Sequence, residues 1–259
     1  MRKGYGNGFY PALSTLEKAR AFEVTAATTS VIIPVLNGAA FIGAAIESVL
    51  AQLTESDQVI VIDDGSVDAT PDILRTFAGR STVLQGPKRG VSAARNLGLR
   101  NANREFVAFL DHDDLWPPGR HSALLSALMT DPTYNAAAGR IRILTDTAVS
   151  GADYLSWDGT HQPGFLWAAL FSRSLVNAAG WFDETMAHGE DNDFYIRLQE
   201  ANMRMKLCDV DALCYRRHSG NATNSAPPKS AVFMDIISRA ITRRRKSGTA
   251  SQTPPTSRE

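Results

Sequence analysis

Three groups of acidic residues stand out in the sequence, because carboxylates gathered at the ends of strands or helices can bind cations or accept protons. These groups are Asp63-Asp64, Asp111-His-Asp-Asp114 and Glu190-Asp191-Asn-Asp193. One such group alone is commonly a turn or a helix cap. The first two groups directly follow apolar runs typical of buried strands, and parallel strands end at a common edge of a sheet. Three groups in one chain therefore favour a functional site over three unrelated turns.

The spacing within the second group suits a divalent cation. Asp111 and Asp113 are two residues apart on a predicted tight turn, so both carboxylates can face one point. Mg²⁺ and Mn²⁺ prefer such oxygen ligands and complete their coordination with water and substrate phosphates. An Asx turn that leads into the helix after Pro117 is the alternative. Four polar residues directly after Phe106–Leu110 are more than that turn requires, so we predict a cation site.

The elements that must position these groups alternate regularly in the first half of the chain. Apolar runs predict strands at residues 31–36, 59–62, 83–84 and 106–110, and helical spacing predicts helices near 42–53, 70–77, 92–101 and 118–128. In the second half, strands are predicted near 139–144 and 206–215, and helices near 193–200 and 231–242. This alternation is typical of an α/β domain with a doubly wound, mixed but mainly parallel sheet flanked by helices. Its ligand site is expected beyond the carboxyl ends of the strands.

A single domain accounts for most of the chain. Residues 1–27 are predicted to be an N-terminal arm, residues 28–224 the α/β domain, and residues 225–259 a helix followed by a basic, flexible tail. The basic run Arg243–Lys246 would suit weak contact with anionic lipid at the inner face of a membrane. A solvated tail is the simpler interpretation.

Composition and charge exclude several functional classes. The chain has 259 residues with 27 basic and 27 acidic side chains, and 44% of its residues are hydrophobic, which is enough for a sizeable core. Charge balance argues against a dedicated nucleic-acid-binding protein, because such proteins need a basic excess to replace the counterions around phosphates. The sequence shows neither a secretory leader nor an apolar run of membrane-spanning length, so a cytoplasmic protein is expected.

Five parts of the sequence together resemble the inverting family 2 glycosyltransferases, which have the GT-A fold and use nucleotide-diphosphate sugars. In chain order they are Ser30–Asn37, Val61–Asp68, Gly90–Gly98 leading to Phe109–Asp114, Gly180–Glu184 with Gly189–Phe194, and Tyr215–Thr223. Each is weakly diagnostic alone, but their order and spacing are specific. The resemblance implies transfer of a sugar to a hydroxyl acceptor such as a glycan, a lipid-linked glycan, a peptide or a small molecule.

The resemblance implies a donor site for a nucleotide-diphosphate sugar, most simply one linked to UDP. The residues expected there are Pro34, Val35 and Asn37 at the base pocket, Asp63 and Asp64 at the nucleobase edge, Arg95 along the nucleotide, and Asp111 and His112 near the ribose. His112 occupies the variable place of the acidic triplet, where a spacer is the simpler interpretation. Asn37 also lacks the neighbouring aromatic residue often found in relatives, so stacking on the base is expected to be weaker or supplied elsewhere.

The resemblance also implies a metal side and a base side. Asp113 and Asp111 are expected to hold Mn²⁺ or Mg²⁺ at the diphosphate, with His218 within reach of the metal. Asp191 matches the general base that takes the proton of the acceptor, and Glu190 is expected to support it. An ordinary aspartate has a pKa of about 4, so Asp191 would be mostly ionised at neutral pH.

Two further residues are expected on the side of the site that faces the acceptor. Trp181 and His188 fall in the half of the chain that should face the acceptor, where an aromatic ring can stack on a sugar. A tryptophan after Gly180 suits packing equally well, so both interpretations of Trp181 stay open.

Other nucleotide-binding classes lack their motifs in this chain. Asn37–Gly43 does not supply the G-x-G-x-x-G of a dinucleotide fold, and Ala44-Ala45 replaces the Lys-Ser/Thr pair of a P-loop. Gly90–Ala94 only approaches the nucleophile elbow of a hydrolase. Two alternatives remain. A sugar-nucleotidyltransferase of related fold would carry a Gly-rich, basic loop after the first strand, and a non-catalytic nucleotide-sugar-binding protein would not need Asp113 and Asp191.

Overall fold

The computed structural model describes residues 27–145, 154–155, 166–221 and 229–250. In this part of the chain the strands are β1 (Thr29–Val35), β2 (Gln58–Asp63), β3 (Thr82–Gln85), β4 (Phe106–Phe109), β5 (Ala136–Thr145), β6 (Tyr154–Leu155), β7 (Ala169–Ser172) and β8 (Met205–Arg217). The helices are α1 (Ile42–Leu50), α2 (Thr70–Arg75), α3 (Val91–Asn101), α4 (Arg120–Thr130), α5 (Arg173–Ala179), α6 (Glu190–Glu200) and α7 (Lys229–Ala250). A single turn of 3-10 helix, Leu166–Ala168, precedes β7.

One mixed sheet organises these elements. Its strand order is β3-β2-β1-β4-β7-β5-β6, and β8 also pairs with β5. Strands β3, β2, β1 and β4 are parallel, as are β5 and β8, whereas β7 is antiparallel to β4 and β5 and β6 is antiparallel to β5. The predicted α/β fold with a mixed, mainly parallel sheet is therefore confirmed. The chain adds β2 and β3 on one side of β1 and β4 on the other, which creates a switch point between β1 and β4, where such sheets bind ligands.

The central strands are buried on both faces, as their continuous apolar runs predict. All seven residues of β1 and all four of β4 are buried, because helices cover the sheet. Helix α1 buries the face that carries Ile42, Ala45, Ile46 and Val49. Helix α3 lies close to β1, since a Cβ at Gly98 would overlap the side chain of Ile32. This contact fixes α3 against the sheet, with its first turns at the carboxyl edge of the parallel strands.

The second half contains elements that the sequence pattern did not predict. Strand β7 and helix α5 are four and seven residues long, too short for a clear hydrophobic period.

Arg120, the first residue of α4, is completely buried, and burial lowers its pKa to about 9. Its guanidinium donates to the carbonyl oxygens of Ala212, Trp167 and Ala169 at 2.7–3.1 Å. Arg120 therefore joins α4 to β8 and to the start of β7.

The last helix is longer than the helix near residues 231–242 that the sequence predicts. Helix α7 continues to Ala250, so Arg243–Lys246 belong to the helix. Arg243 donates to Asp193 at 2.7 Å and Arg244 to Glu200 at 3.0 Å, and these ion pairs with α6 favour the continued helix. Residues 1–26 of the predicted arm and residues 251–259 lie outside the described residues. Within the part described, no helix has the length and apolar content needed to cross a membrane.

Candidate active site

Arg95 connects two of the three acidic groups. Its Nη2 donates to Asp111 Oδ1 at 2.9 Å, and its Nη1 donates to Glu190 Oε1 at 2.7 Å. The side chain is only 3% exposed, and its guanidinium carbon lies 4.3 Å from the ring centroid of Trp167. Burial alone would lower the pKa of Arg95, but the attraction of Asp111 and Glu190 raises it above its ordinary value. A permanently charged side chain therefore ties the loop after β4 to the start of α6.

The loop after β4 gathers three carboxylates. One oxygen each from Asp111, Asp113 and Asp114 lies within 4.8 Å of the others. Asp114 is completely buried, and its pKa rises to about 8 because of burial and the negative charge of Asp111. Burial, with the charge of Asp113, also raises the pKa of Asp111 against the opposing effect of Arg95. Such mutual repulsion is what a bound cation would relieve.

The residues of this cluster fit a divalent cation. Asp114 Oδ2 is buried and has no hydrogen-bond partner among the described residues. Carboxylate oxygens are the ligands that Mg²⁺ and Mn²⁺ prefer. Asp114 was not among the predicted ligands, although it belongs to the same acidic run. The signal for Asp114 in the sequence is its place directly after Asp113 at the end of that run.

Two side chains from the end of β8 hold Asp113. His218 Nε2 and Asn221 Nδ2 each lie 3.2 Å from Asp113 Oδ2, and the His218 ring stacks on Phe41 at 4.4 Å between centroids. His218 thus lies next to the acidic cluster. Asn221 is a functional candidate that the sequence analysis missed. It is buried, accepts a hydrogen bond from the backbone of His218 at 2.6 Å and donates to the carbonyl of Arg216 at 3.1 Å.

Arg216 supports the acidic loop from the same strand. Its backbone N–H donates to Asp114 Oδ1 at 2.9 Å, and its guanidinium donates to the carbonyl oxygen of Asp113. The guanidinium carbon also lies 4.9 Å from the ring centroid of Phe41. Arg216 therefore fixes the conformation of the acidic loop and leaves the carboxylate of Asp113 to His218 and Asn221.

The acidic pair at the end of β2 has backbone partners. Asp63 Oδ1 accepts hydrogen bonds from the backbone of Gly65 and Ser66, at 3.2 and 2.8 Å, and so forms the turn after the strand. The two oxygens of Asp64 accept from the backbone N–H groups of Lys88 and Gly90, at 2.7 and 2.9 Å. Each Asp64 oxygen keeps a lone pair, so a nucleobase contact is compatible with these bonds.

The other predicted donor-side residues surround the loop after β1. Pro34 and Val35 are buried at the end of the strand. Asn37 has a positive φ of 53°, and its Oδ1 accepts from the backbone of Val67 at 2.9 Å, which joins this loop to the one after β2. The His112 ring packs directly on Gly38, where an added Cβ would overlap it. His112 therefore fills the space between the loop after β4 and the loop after β1.

The first turn of α6 carries the predicted base. Helix α6 begins after Gly189, whose φ of 78° suits glycine, and Glu190, Asp191 and Asp193 all lie in its first turn, where the helix dipole favours negative charge. Burial, with the negative charge of Glu190, raises the pKa of Asp191 to about 6, although Arg95 opposes the shift. The carboxylate of Glu190 is bound by Arg95, whereas Asp191 Oδ1 accepts a hydrogen bond from Nδ2 of its neighbour Asn192 at 3.2 Å.

The predicted acceptor-side residues are less clearly placed at the site. Trp181 is 54% exposed, and its ring packs under Arg100, more than one turn of α3 beyond Arg95. The described contacts therefore favour surface packing for Trp181. The next residue, Phe182, is held by two hydrogen bonds between its backbone and the side chain of Asn96, at 2.8 and 3.0 Å. His188 is exposed directly before Gly189.

Comparison with solved structures supports the fold. The chain is similar to an S. aureus TarS fragment in complex with UDP-GlcNAc, with a TM-score of 0.67, 20% identity, and coverage of 81% of this chain and 64% of that one. It is also similar to the mannosyltransferase PcManGT from Pyrobaculum calidifontis in complex with GDP-Man and Mn²⁺, with a TM-score of 0.64, 20% identity, and coverage of 83% and 64%. These likenesses confirm the predicted GT-A architecture.

Sequence comparison identifies the family. The chain is 37% identical over 212 residues to the uncharacterised glycosyltransferase RT0329 of Rickettsia typhi, covering 76% of this chain and 66% of the relative. It is 28% identical over 166 residues to the glycosyltransferase EpsH of Bacillus subtilis, covering 58% and 48%. The chain thus spans two thirds or less of these relatives. The family model described as glycosyl transferase family 2 matches residues 30–188, which is more than half of the chain and ends just before Glu190. The chain therefore belongs to glycosyl transferase family 2.

Proposed function

We propose that this protein transfers a sugar from a nucleotide-diphosphate donor, linked to UDP, to a hydroxyl acceptor with inversion at the anomeric carbon. The observation that carries the proposal is the buried link through Arg95 between a carboxylate cluster suited to a cation and a second carboxylate pair, in which the pKa of Asp191 is raised. Similar structures in complex with UDP-GlcNAc and with GDP-Man and Mn²⁺ support a nucleotide-sugar donor.

The metal side of the proposed site consists of Asp111, Asp113 and Asp114. Their carboxylate oxygens would hold Mn²⁺ or Mg²⁺, and His218 and Asn221 orient Asp113. When bound, such a cation neutralises the negative charge that grows on a departing diphosphate. His218 acts here mainly by positioning Asp113, and direct contact between His218 and the metal is the alternative role. Asp63 and Asp64 would line the nucleobase edge, next to the loop that carries Asn37.

The base side of the proposed site consists of Asp191, with Glu190 as its support. Asp191 accepts the proton of the acceptor hydroxyl while the hydroxyl oxygen attacks the anomeric carbon. Glu190 is unsuited to that role because its carboxylate is engaged by Arg95 at 2.7 Å. Attack from the side of Asp191, opposite the departing diphosphate, inverts the configuration. A pKa of about 6 leaves Asp191 largely ionised at neutral pH while making it a stronger base than an ordinary aspartate.

Turnover of nucleotide sugars tests this proposal without knowledge of the acceptor. UDP-GlcNAc and GDP-Man are incubated with the protein, with and without Mn²⁺, and the released nucleotide is identified. We expect slow Mn²⁺-dependent hydrolysis that releases the nucleoside diphosphate. The Asp113→Asn variant should lose the Mn²⁺-dependent hydrolysis. The Asp72→Asn variant, which changes an exposed aspartate on α2, should retain it. Binding without hydrolysis would favour a non-catalytic binding protein, and pyrophosphate-dependent formation of a nucleoside triphosphate would favour a nucleotidyltransferase.

A further inference from the structure

Helix α7 packs directly across the start of α6. A Cβ at Gly189 would lie 2.5 Å from Val232 Cγ1 and 3.0 Å from Ile236 Cδ1, so glycine is required both by this close approach and by the positive φ. Ile236 is only 2% exposed, although it lies on a helix at the surface. The apolar side of α7 therefore rests on the residue that immediately precedes Glu190 and Asp191.

An ion pair fixes the same helix turn. Arg243 of α7 donates to Asp193 Oδ1 at 2.7 Å, and Arg197 of α6 donates to Asp193 Oδ2 at 2.9 Å. The Asp193 side chain is only 1% exposed, so both of its oxygens are satisfied by guanidinium groups rather than by water. Asp193 is two residues after Asp191 in the first turn of α6. Arg243 therefore holds that turn from outside the helix.

A second arginine of α7 holds the loop on the other side of Asp191. Arg239 donates to Asp183 Oδ2 at 2.8 Å and to Thr185 Oγ1 at 2.9 Å. This loop follows Phe182, which is itself fixed to α3 by Asn96. Helix α7 thus contacts the loop before Gly189 and the helix turn after it, and the predicted base lies between these two points.

We infer that α7 is a brace that positions Asp191 for proton transfer, with Arg243 and Ile236 as its positioning residues. The inference rests on the proposed role of Asp191 as the base. It concerns the base side, because Arg239, Ile236 and Arg243 contact the segment from Asp183 to Asp193, which includes the start of α6. Loss of the brace should therefore lower kcat and leave donor binding intact.

Kinetics of matched arginine variants test the inference. Arg243→Ala should lower kcat for nucleotide-sugar turnover at least tenfold, while KM for the donor and the Kd for UDP in the presence of Mn²⁺ change less than twofold. Arg243→Lys, which keeps the positive charge, should recover part of the loss. Arg244→Ala is the control, because Arg244 lies on the same helix but binds Glu200 at the far end of α6. Equal effects of Arg243→Ala and Arg244→Ala on kcat, or a parallel loss of UDP binding, would overturn the inference.

Hydrogen exchange gives a second readout that does not depend on activity. Amides 189–194 should exchange faster in Arg243→Ala than in Arg244→Ala, and faster in Ile236→Ala than in Ile241→Ala, which changes an isoleucine that is 46% exposed. Unchanged exchange in this segment would refute the positioning of Asp191 by α7, even if activity fell. The Asp191→Asn variant is measured in parallel. If it retained turnover, the proposed base would fail, while faster exchange of amides 189–194 would still establish the contact between α7 and α6.

Discussion

The two sides of the candidate site differ in how the chain supports them. The carboxylates after β4 lie on a loop fixed by the sheet, and β8 adds Arg216, His218 and Asn221 from one continuous segment. The start of α6 is instead held by side chains from separate elements, including Arg95 of α3 and Arg243 of α7. The proposed metal side is therefore built mainly from strand ends, and the proposed base side from helix packing over long sequence distances.

Arg95 is the physical link between these two sides, so its loss should have the largest effect. Arg95→Met removes a buried charge and leaves Asp111 and Glu190 without their shared partner. Removing one member of a buried ion pair typically costs about 3–5 kcal/mol, so we expect a lower free energy of unfolding as well as at least a hundredfold loss of turnover. Urea denaturation and donor hydrolysis measure the two effects.

Arg80→Met is the control for that variant. Arg80 makes an exposed ion pair with Glu47, and such exposed pairs contribute little to stability. If both variants lost the same stability and activity, Arg95 would not couple the two sides.

Asn221 tests how the strand-built side holds its carboxylates. Asn221→Ala removes a donor to Asp113 and the contact that fixes the backbone of His218. Loss of a residue that orients a metal ligand usually reduces metal affinity by about 10–100-fold. We expect the affinity for Mn²⁺ in the presence of UDP to fall by about that factor. Isothermal titration calorimetry measures it, with the exposed Asn103→Ala as control. Unchanged Mn²⁺ affinity would contradict the role of Asn221.

At the start of α6, the buried carboxylate of Asp191 should lower the free energy of unfolding by an amount that depends on pH. Because the pKa of Asp191 is raised in the folded protein, its contribution to stability is fully present below the unfolded pKa of about 4 and is lost as pH rises through about 6. Asp191→Asn should therefore be more stable than the wild type above pH 7, by about 3 kcal/mol at most, and lose this advantage near pH 4. Urea denaturation at both pH values measures the difference. A pH-independent difference would contradict the raised pKa.

Trp181 should contribute least, because its contact lies away from the link between the two sides. Trp181→Ala removes an exposed ring that packs under Arg100, and we expect donor hydrolysis and UDP binding to change less than about twofold. Steady-state kinetics measure this. A large increase in KM for an acceptor, once one is known, would instead restore the predicted acceptor role of Trp181.

The sequence predicted the parts of the molecule that depend on local pattern. The buried runs of β1, β2 and β4 and the acidic loop beside them follow from hydrophobicity and spacing, and the predicted fold is confirmed. Contacts between residues far apart in the chain could not be predicted from local pattern. Arg120 is buried although charged residues are usually exposed, and α7 continues through a basic run because Arg243 meets a buried carboxylate 50 residues earlier in the chain.

The most direct test of the division into a metal side and a base side is the Asp191→Asn variant. We predict that it binds UDP with Mn²⁺ within about twofold of the wild type, while Mn²⁺-dependent hydrolysis of the nucleotide sugar falls by about a hundredfold or more, the usual contribution of a general base. Asp113→Asn, measured beside it, should lose Mn²⁺-dependent UDP binding. Near-normal turnover by Asp191→Asn, or loss of UDP binding equal to that of Asp113→Asn, would contradict the assignment of separate roles to the two sides.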